Sequence, residues 1–516
     1  MADVSAPPAG RRPGSPGGHP LRIGVVGAGA AGLLTVSRLL DWAGRSGASV
    51  EILWADPRVD SGRGAAYSTE DPRHLLNAPA LAMSADPDAP ADFQQWLAEA
   101  GYPADPYSFQ PRASYARYLA DRLERSLHAV GSSVILRHEH ERVIDLVPHD
   151  PAGLTLVLES GALCAVDAVV LALGQYASDN SWAPERLRAD PRFIADPWRP
   201  DALDRVPEEG DVLLVGTGLT MVDAAVSADR PGRTLHAVSR SGLLPQVHAA
   251  RRPDPAPPPI LDRVEGLEAL RRAVSCHISA LRRERGDWRP AFDSLRPLVP
   301  ELWSRLSPAE RERFVAEDGR IWETHRHRIA PATAALLAEI RRAGRLTVSA
   351  AAVVSVEESA DRGVLPVRLS EGRVLPVAAV IDCTGPGFDF RRAGAILPRA
   401  LFRSGRARPG PLGLGLDTDA DGRVLDARGT VGLPLWAVGG ARRGSQWEST
   451  AIATIRVQAR DAAAAVFEHC RPEGRGEPFR LSRLDPPESD PVHVIREPRP
   501  SSSDRSRRTP AARTRS

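Results

Sequence analysis

The 516-residue sequence contains no lysine, and its 67 basic residues are all arginines. Without lysine, the chain cannot form a Schiff base with pyridoxal phosphate or with a carbonyl substrate. It also cannot place the lysine of a P-loop on a nucleotide phosphate. These classes of enzyme are therefore excluded.

Cysteine is also scarce, and no two cysteines form a Cys-x-x-Cys pair. The chain has four, at Cys164, Cys276, Cys383 and Cys470. This spacing argues against a disulfide framework, a zinc site on paired thiols and a redox dithiol. It predicts no metal site and fits a reducing cytoplasm, where we expect the protein to reside.

Long apolar runs and an excess of charge are absent as well. The most apolar stretch, residues 21–40, is interrupted by four glycines and two arginines, which favours a strand, a turn and a helix over a membrane anchor. The formal net charge is only +2, so neither a nucleic-acid nor a membrane partner is predicted. Residues 1–20 and the basic tail 471–516 have the composition of disordered extensions.

The first glycine motif lies between a predicted strand at 21–26 and a predicted helix at 30–42. It reads Gly27-Ala28-Gly29-Ala30-Ala31-Gly32. In such motifs the first glycine allows a tight turn, the second lets backbone amides approach a pyrophosphate, and the third permits close packing of helix and strand. Asp56 ends the next predicted strand, where an acid holds a ribose hydroxyl. The motif predicts a dinucleotide with an unphosphorylated adenosine ribose.

A second motif of the same form contains Gly216 and Gly218, between a predicted strand at 212–215 and a helix. The next strand ends in Ser239-Arg240-Ser241, with no acid. Because a carboxylate would repel a 2′-phosphate and an arginine can pair with it, this site favours NADPH. The alternative is a degenerate second fold that binds nothing.

The recurring strand–glycine–helix pattern predicts an α/β fold with two Rossmann-like dinucleotide-binding domains, the second carrying a helical insertion. We expect an FAD-binding domain in two parts, residues 21–180 and 376–470. An NADPH-binding domain would span 195–375, with the helical insertion at 260–343.

Three segments resemble the signature of an FAD/NAD(P)-binding flavoprotein family that includes the nitrosuccinate-forming L-aspartate N-monooxygenases. They are Gly-Arg-Gly-Ala-Ala-Tyr-Ser-Thr at 62–69, Asp-Pro-Arg-His-Leu-Leu-Asn-Ala-Pro at 71–79 and Met-Ser-Ala at 83–85. The resemblance continues at 239–245, 322–328 and 447–451, and covers almost everything between residues 21 and 469. A typical flavoprotein has Gly-Asp in its final glycine loop, whereas this chain has Gly439-Gly440.

The resemblance implies a fold like that of flavoprotein monooxygenases and glutathione reductase, with FAD and NADPH as cofactors. Together with the glycine motifs, it assigns one set of residues to FAD: Gly27, Gly29, Gly32, Asp56, Asn77, Met83, Arg112, Val143, Gly439 and Trp447. Val143 would offer backbone hydrogen bonds to adenine just after a strand. Gly216, Gly218 and Arg240 would bind NADPH. His74 and Asn77 are the candidates for a catalytic role beside the flavin.

The implied reaction is N-hydroxylation of a small, L-aspartate-like amino acid by O2, through a flavin hydroperoxide. A buried substrate carboxylate needs a fixed cation, which in this chain must be arginine or histidine. The densest candidates lie in the predicted insertion, at Arg289, Arg296, Arg326 and Arg328, and a pocket near His74 and Asn77 is the alternative. Because consecutive residues on a helix point in different directions, we expect at most two of the four residues from His325 to Arg328 to face one pocket.

Three other functions fit the same sequence. They are a flavin monooxygenase with a non-amine substrate, an NADPH-dependent FAD oxidoreductase that inserts no oxygen, and a flavin-binding module without turnover.

Overall fold

The computed structural model describes residues 20–58, 62–149, 153–359, 361, 363–392 and 394–470. The predicted disordered ends, apart from Pro20, lie outside the described residues. No helix within these ranges is long and apolar enough to cross a membrane.

Within the described residues, the strands are β1 Leu21–Val26, β2 Val50–Ala55, β3 Val134–Glu139, β4 Val143–His149, β5 Gly153–Leu158, β6 Leu163–Val166, β7 Ala168–Leu171, β8 Phe193–Ile194, β9 Val212–Val215, β10 Leu235–Ser239, β11 Leu346–Ala350, β12 Val353–Val356, β13 Leu365–Leu369, β14 Val374–Val377, β15 Ala379–Asp382, β16 Arg423–Leu425 and β17 Val431–Ala437. The helices in the same ranges are α1 Ala30–Ser46, α2 Asp92–Glu99, α3 Arg112–Ala129, α4 Glu185–Arg188, α5 Leu219–Ala228, α6 Leu267–Arg285, α7 Arg289–Asp293, α8 Val299–Arg305, α9 Pro308–Arg313, α10 Gly319–Arg326, α11 Pro331–Arg342, α12 Ile396–Arg403 and α13 Ile452–His469.

The first sheet has, in its described part, six strands in the order β16-β17-β7-β1-β2-β3. All neighbours pair in parallel except β16 and β17. Helices α1, α3 and α13 cover one face, and the antiparallel sheet β4-β5-β6 covers the other. Since both faces are covered, its central strands β7 and β1 are almost wholly apolar, as in other parallel sheets.

The second sheet has the described order β11-β10-β9-β15-β8 and is parallel. Helices α5 and α11 pack on one face and the antiparallel sheet β12-β13-β14 on the other. The predicted α/β fold with two Rossmann-like sheets is confirmed.

Two predicted boundaries need correction. Strand β15, Ala379–Asp382, pairs with β9 in the second sheet, so this part of the fold continues past the predicted boundary at 375/376. The predicted insertion also ended too late, because α11 packs on the second sheet and leads directly into β11. Apolar strand patterns are alike in both sheets, so the sequence alone could not assign β15.

The remaining helices of the insertion, α6 to α10, form their own small core. Leu267, Val299, Trp303 and Leu306 pack there together with Trp447, which comes from the loop after β17. The insertion is therefore joined to the glycine loop that closes the first sheet.

Candidate functional site

The three glycines of the first turn have different surroundings. Gly27 has φ +109°, and a Cβ built there would overlap the carbonyl oxygen of Ala172. A Cβ at Gly32 would overlap the carbonyl oxygen of Gly27. Among the described residues other than its chain neighbours, a Cβ at Gly29 would meet nothing closer than the Cα of Gly64, at 3.8 Å. Gly27 and Gly32 thus serve packing, whereas Gly29 faces open space at the N-terminus of α1, which has no side-chain cap.

Asp56 follows β2 and joins this turn. Its Oδ2 accepts a hydrogen bond from the backbone N–H of Ala28 at 2.7 Å, and its Oδ1 accepts one from the N–H of Arg58 at 2.8 Å. Although burial opposes ionisation, the hydrogen bonds and charge of Arg58 outweigh it and lower the pKa of Asp56. The carboxylate is therefore held ionised beside the turn.

His74 contacts helix α5, which packs on the second sheet, and both of its ring nitrogens have hydrogen-bond partners. Its Nδ1 lies 2.7 Å from Thr69 Oγ1. Its Nε2 lies 2.9 Å from Ser227 Oγ and 3.1 Å from the carbonyl oxygen of Asp223, both on α5. This geometry favours a positioning role for His74 over the catalytic role expected from the sequence.

Arg112 joins the same contact. Its Nη2 lies 2.7 Å from Oδ2 of Asp223, and its guanidinium stacks over Trp198 at 5.5 Å. Burial raises the pKa of Asp223, against the charges of Arg112 and His74. Sequence reasoning missed Asp223, although an acid within the otherwise apolar helix α5 is a signal for a buried partner.

The side chains of Met83 and Val143, two of the residues assigned to FAD, are both buried. Met83 is 4% exposed and belongs to the apolar core under the first sheet. Val143 is the first residue of β4, shortly after the end of β3, and pairs with Leu158. Their contacts with FAD remain predictions.

The final glycine loop explains one departure from the usual pattern. Gly439 has φ +70°, and its N–H donates to Oε1 of Gln458 at 2.7 Å. A Cβ at Gly440 would lie 2.5 Å from the carbonyl oxygen of Gly174. The aspartate of typical flavoproteins therefore has no room at Gly440 in this chain.

Trp447 is buried in the contact with the insertion. Its ring stacks on Trp303 with centroids 5.0 Å apart, and the guanidinium of Arg443 lies 4.5 Å from its centroid. Its predicted contact with FAD likewise remains a prediction.

The second glycine turn repeats the first. Gly216 has φ +111°, and a Cβ there would overlap the carbonyl oxygen of Cys383. Gly218 caps α5, and the nearest described atom outside the turn is the tip of Arg320, 3.9 Å from the position of a Cβ. Arg240 is exposed and has no hydrogen bond or ion pair to any described residue. A cation after β10 is thus free to meet a ligand.

The four predicted substrate arginines come together with Arg443, and we call these five residues the arginine cluster. Arg289 and Arg328 both stack on Trp288, at 5.2 Å. Arg296, Arg326 and Arg443 surround His327, and burial together with these charges lowers the pKa of His327 to about 3.

Carboxylates in the described residues neutralise this cluster incompletely. Four of them make ion pairs with its five guanidinium groups: Asp287 with Arg289, Asp293 with both Arg296 and Arg328, Glu448 with Arg326, and Glu323 with Arg443. Nε of Arg296 is buried without a hydrogen-bond partner in the described chain. Burial and the charge of Arg326 lower the pKa of Arg296 to about 10. Among the described residues, the cluster thus has one guanidinium group more than its paired carboxylates.

The local backbone explains how Arg326 and Arg328 reach different partners. Helix α10 ends at Arg326, and His327 has φ −98° and ψ 75°. Arg326 therefore turns to Glu448, whereas Arg328, only 1% exposed, turns to Asp293. The sequence pattern continued the helix beyond this point, and the end of α10 at Arg326 is what sends these two side chains in different directions.

His248 lies between the two substrate sites predicted as alternatives, which are the arginine cluster and the region of His74 and Asn77. Its Nε2 donates to the carbonyl oxygen of Asn77 at 3.0 Å. Burial, together with the nearby charges of Arg328 and Arg296, lowers the pKa of His248 to about 4. Asn77 and the arginine cluster thus border the same region, a proximity that no sequence motif indicated.

Comparison with known proteins agrees with the first glycine turn. Residues 24–176 match the family model described as FAD-NAD(P)-binding. This region is an FAD-NAD(P)-binding domain. It contains Gly27, Gly29, Gly32 and Asp56 as well as the segment with His74 and Asn77. A search of curated protein sequences returned no match.

Solved structures extend the likeness beyond the FAD-NAD(P)-binding domain. Ornithine hydroxylase from Pseudomonas aeruginosa matches with a TM-score of 0.57 at 16% identity, over 87% of this chain and 99% of that one. L-lysine 6-monooxygenase from Pseudomonas syringae matches with 0.57 at 17%, over 87% and 100%. The cadaverine monooxygenase of Erwinia amylovora matches with 0.58 at 13%, over 90% and 98%. At these identities the likeness concerns the fold.

Proposed function

We propose that the protein is an FAD-containing, NADPH- and O2-dependent monooxygenase that N-hydroxylates a small, L-aspartate-like amino acid. The observation that carries this proposal is that one fold combines two open glycine turns with an incompletely neutralised arginine cluster. The similar fold of three amine hydroxylases over most of this chain supports the reaction type.

The residues of the first turn fit FAD. Gly29 leaves space at the uncapped N-terminus of α1, where backbone N–H groups bind phosphate, and Asp56 is ionised beside it. We assign the FAD-binding domain to the first sheet and its covering elements, in two parts. Bound FAD would supply the oxygen-transfer chemistry, and the chain need only exclude water and orient the amine.

The second turn fits NADPH. Gly218 is open toward the ligand, and Arg240 is exposed without a partner in the described structure, as a contact with a 2′-phosphate requires. We assign the NADPH-binding domain to the second sheet, which includes β15 up to Asp382.

The arginine cluster favours an anionic substrate. Ornithine, lysine and cadaverine, named for the similar structures, each carry a second cationic amine. Such a group would be repelled by the excess charge around Arg296, whereas a carboxylate can pair with the guanidinium bidentately. Because ornithine and lysine also have one carboxylate, the difference lies in the side chain, where the cluster favours a second carboxylate over a second amine.

The test is to incubate FAD-loaded protein with NADPH, O2 and L-aspartate, L-ornithine, L-lysine or cadaverine in turn. We expect substrate-dependent NADPH consumption and a product one oxygen atom heavier with L-aspartate. NADPH consumption without oxygen insertion on any amine would contradict the proposal and favour an oxidoreductase. No consumption at all would favour a flavin-binding module.

A further inference from the structure

Arg320 connects the helical insertion to the second glycine turn. It lies in the first turn of α10, and its Nη2 donates to the carbonyl oxygen of Leu243 at 2.7 Å. The same nitrogen lies 3.1 Å from the carbonyl oxygen and 3.2 Å from Oγ1 of Thr217. Thr217 is the central residue of the turn between Gly216 and Gly218. A side chain from the insertion is thus fixed inside this turn.

The charge of Arg320 is not neutralised by these contacts. All three acceptors are uncharged oxygens, and no carboxylate of the described residues lies within 4.0 Å. Glu323, whose charge acts on Arg320, hydrogen-bonds to Arg443 at 2.7 Å instead. Arg326 on the same helix differs, because it forms an ion pair with Glu448 at 2.7 Å.

The second terminal nitrogen of Arg320 lies on the open side of the turn. Nη1 is 3.9 Å from the position that a Cβ of Gly218 would take, and, apart from the adjoining Thr217 and Leu219, no other heavy atom of the described chain lies within 4 Å of that position. This is the side from which a dinucleotide diphosphate approaches the N-terminus of the helix after such a turn.

We infer that Arg320 is a diphosphate-binding residue for the nicotinamide nucleotide, contributed by the helical insertion. The inference rests on the proposed NADPH site and adds to it a cation distinct from Arg240. Because the diphosphate is common to NADP⁺ and NAD⁺, Arg320 contributes affinity for both, whereas Arg240 discriminates between them.

A purely structural role for Arg320 predicts a different result. Its hydrogen bonds also hold Leu243, which follows Ser239-Arg240-Ser241 closely. If Arg320 only supported this loop, its loss would disturb the 2′-phosphate contact as well. The nucleotide 2′-AMP carries the 2′-phosphate but no diphosphate, and therefore separates the two roles.

The experiment measures dissociation constants of NADP⁺ and 2′-AMP by calorimetry on FAD-loaded protein. In Arg320→Gln we expect NADP⁺ to bind about tenfold more weakly and 2′-AMP to bind as in the wild type. Arg240→Gln should weaken both ligands. Arg320→Lys keeps the charge and should recover part of the NADP⁺ affinity. Arg272→Gln, an exposed arginine on α6, is the matched control and should change neither.

The possible failures are distinguishable. Unchanged NADP⁺ affinity in Arg320→Gln, or equal weakening of NADP⁺ and 2′-AMP, would overturn the inference alone. A wild-type protein that holds FAD but binds no NADP⁺ would overturn the proposed function together with it. Unchanged FAD content in each variant verifies that the protein has folded.

Discussion

At the scale of single residues, the glycines of the first turn divide into packing glycines and one that faces the ligand space. Gly27 and Gly32 have no room for a Cβ, because carbonyl oxygens of the neighbouring backbone occupy that space. Gly29 has room, and its φ of −73° and ψ of −173° are open to any residue. The glycines of this motif are thus required for different reasons: Gly27 and Gly32 for packing of the backbone, and Gly29 for space at the N-terminus of α1.

This difference predicts opposite phenotypes for two substitutions. Gly29→Val should fold with nearly wild-type stability and lose FAD, because its side chain would fill the space at the N-terminus of α1. Gly32→Ala should be less stable by about 1–3 kcal/mol or more, since its Cβ overlaps the backbone of Gly27.

Flavin absorbance and chemical denaturation of the FAD-free proteins would measure the two effects. A yellow Gly29→Val protein with wild-type FAD content would contradict the assignment of the phosphate site. Gly47, where a Cβ meets nothing within 4 Å but φ is +64°, offers a control without contacts, through Gly47→Asn.

At the scale of elements, the end of α10 organises the arginine cluster. Because the helix stops at Arg326, Arg328 is free to turn inward and pair with Asp293, which also pairs with Arg296. Arg328 is almost fully buried, so its truncation would mainly disturb the packing around Trp288 and remove one of the two partners of Asp293. Arg296 shares that partner and has an unsatisfied Nε, which makes it the better probe of substrate binding.

We therefore predict that Arg296→Gln raises the KM for the carboxylate substrate about tenfold, because it removes one charge-assisted contact. FAD content and the slow oxidation of NADPH without substrate should not change. Steady-state kinetics would measure this, with the exposed Arg272→Gln on α6 as the control. A wild-type KM in Arg296→Gln would place the carboxylate elsewhere, for example beside Asn77.

At the scale of the whole molecule, a buried polar contact joins two parts of the chain to helix α5 of the second sheet. These parts are the segment of residues 69–77 and the first residue of α3, Arg112. The centre of this contact is the ion pair between Arg112 and Asp223, whose side chains are 12% and 7% exposed. Thr69, His74 and Ser227 complete it with hydrogen bonds. Removing one member of a buried pair leaves an uncompensated charge, which is far more costly than losing a surface pair.

Asp223→Ala should accordingly lower the free energy of unfolding by about 3–5 kcal/mol. The control is Asp229→Ala, which breaks the more exposed pair with Arg345 and should cost at most about 1 kcal/mol. Urea denaturation of both variants would test this. Equal effects would mean that the contact with α5 contributes no more than a surface ion pair.

The buried histidines add a dependence of stability on pH. The folded-state pKa of His248 is about 4, whereas its ordinary value is 6.5. Between these values the unfolded chain binds a proton that the folded chain does not bind. Stability is therefore complete above pH 6.5 and falls as the pH decreases toward 4, by on the order of 3 kcal/mol for this group. His327, with a pKa of about 3, acts in the same direction.

Denaturation at several pH values between 7.5 and 4 would measure this loss. We expect His248→Gln to be less sensitive to acid than the wild type in this window, because it removes the group that must be protonated on unfolding. The exposed His128→Gln should behave as the wild type. Identical pH profiles for the wild type and His248→Gln would show that His248 does not contribute.

The sequence alone determined the features that depend on neighbours along the chain. A turn between an apolar strand and a helix requires glycine for steric reasons, so both dinucleotide turns and the α/β fold with two sheets were predictable. The same holds for the charged residues after two of the strands, because Asp56 comes directly after β2 and Arg240 directly after β10. The exclusion of lysine chemistry needed no structure at all.

The tertiary structure decided what distant parts of the chain do to each other. Burial of His74 against α5, the pairing of Arg112 with Asp223 and the hydrogen bond from His248 to Asn77 join residues more than a hundred positions apart. The hydrogen bonds from Arg320 to Thr217 and Leu243 at the second glycine turn likewise depend on the tertiary structure. Such contacts depend on how helices pack on the two sheets, and an amphipathic pattern specifies that a helix is buried but not which side chain it will meet.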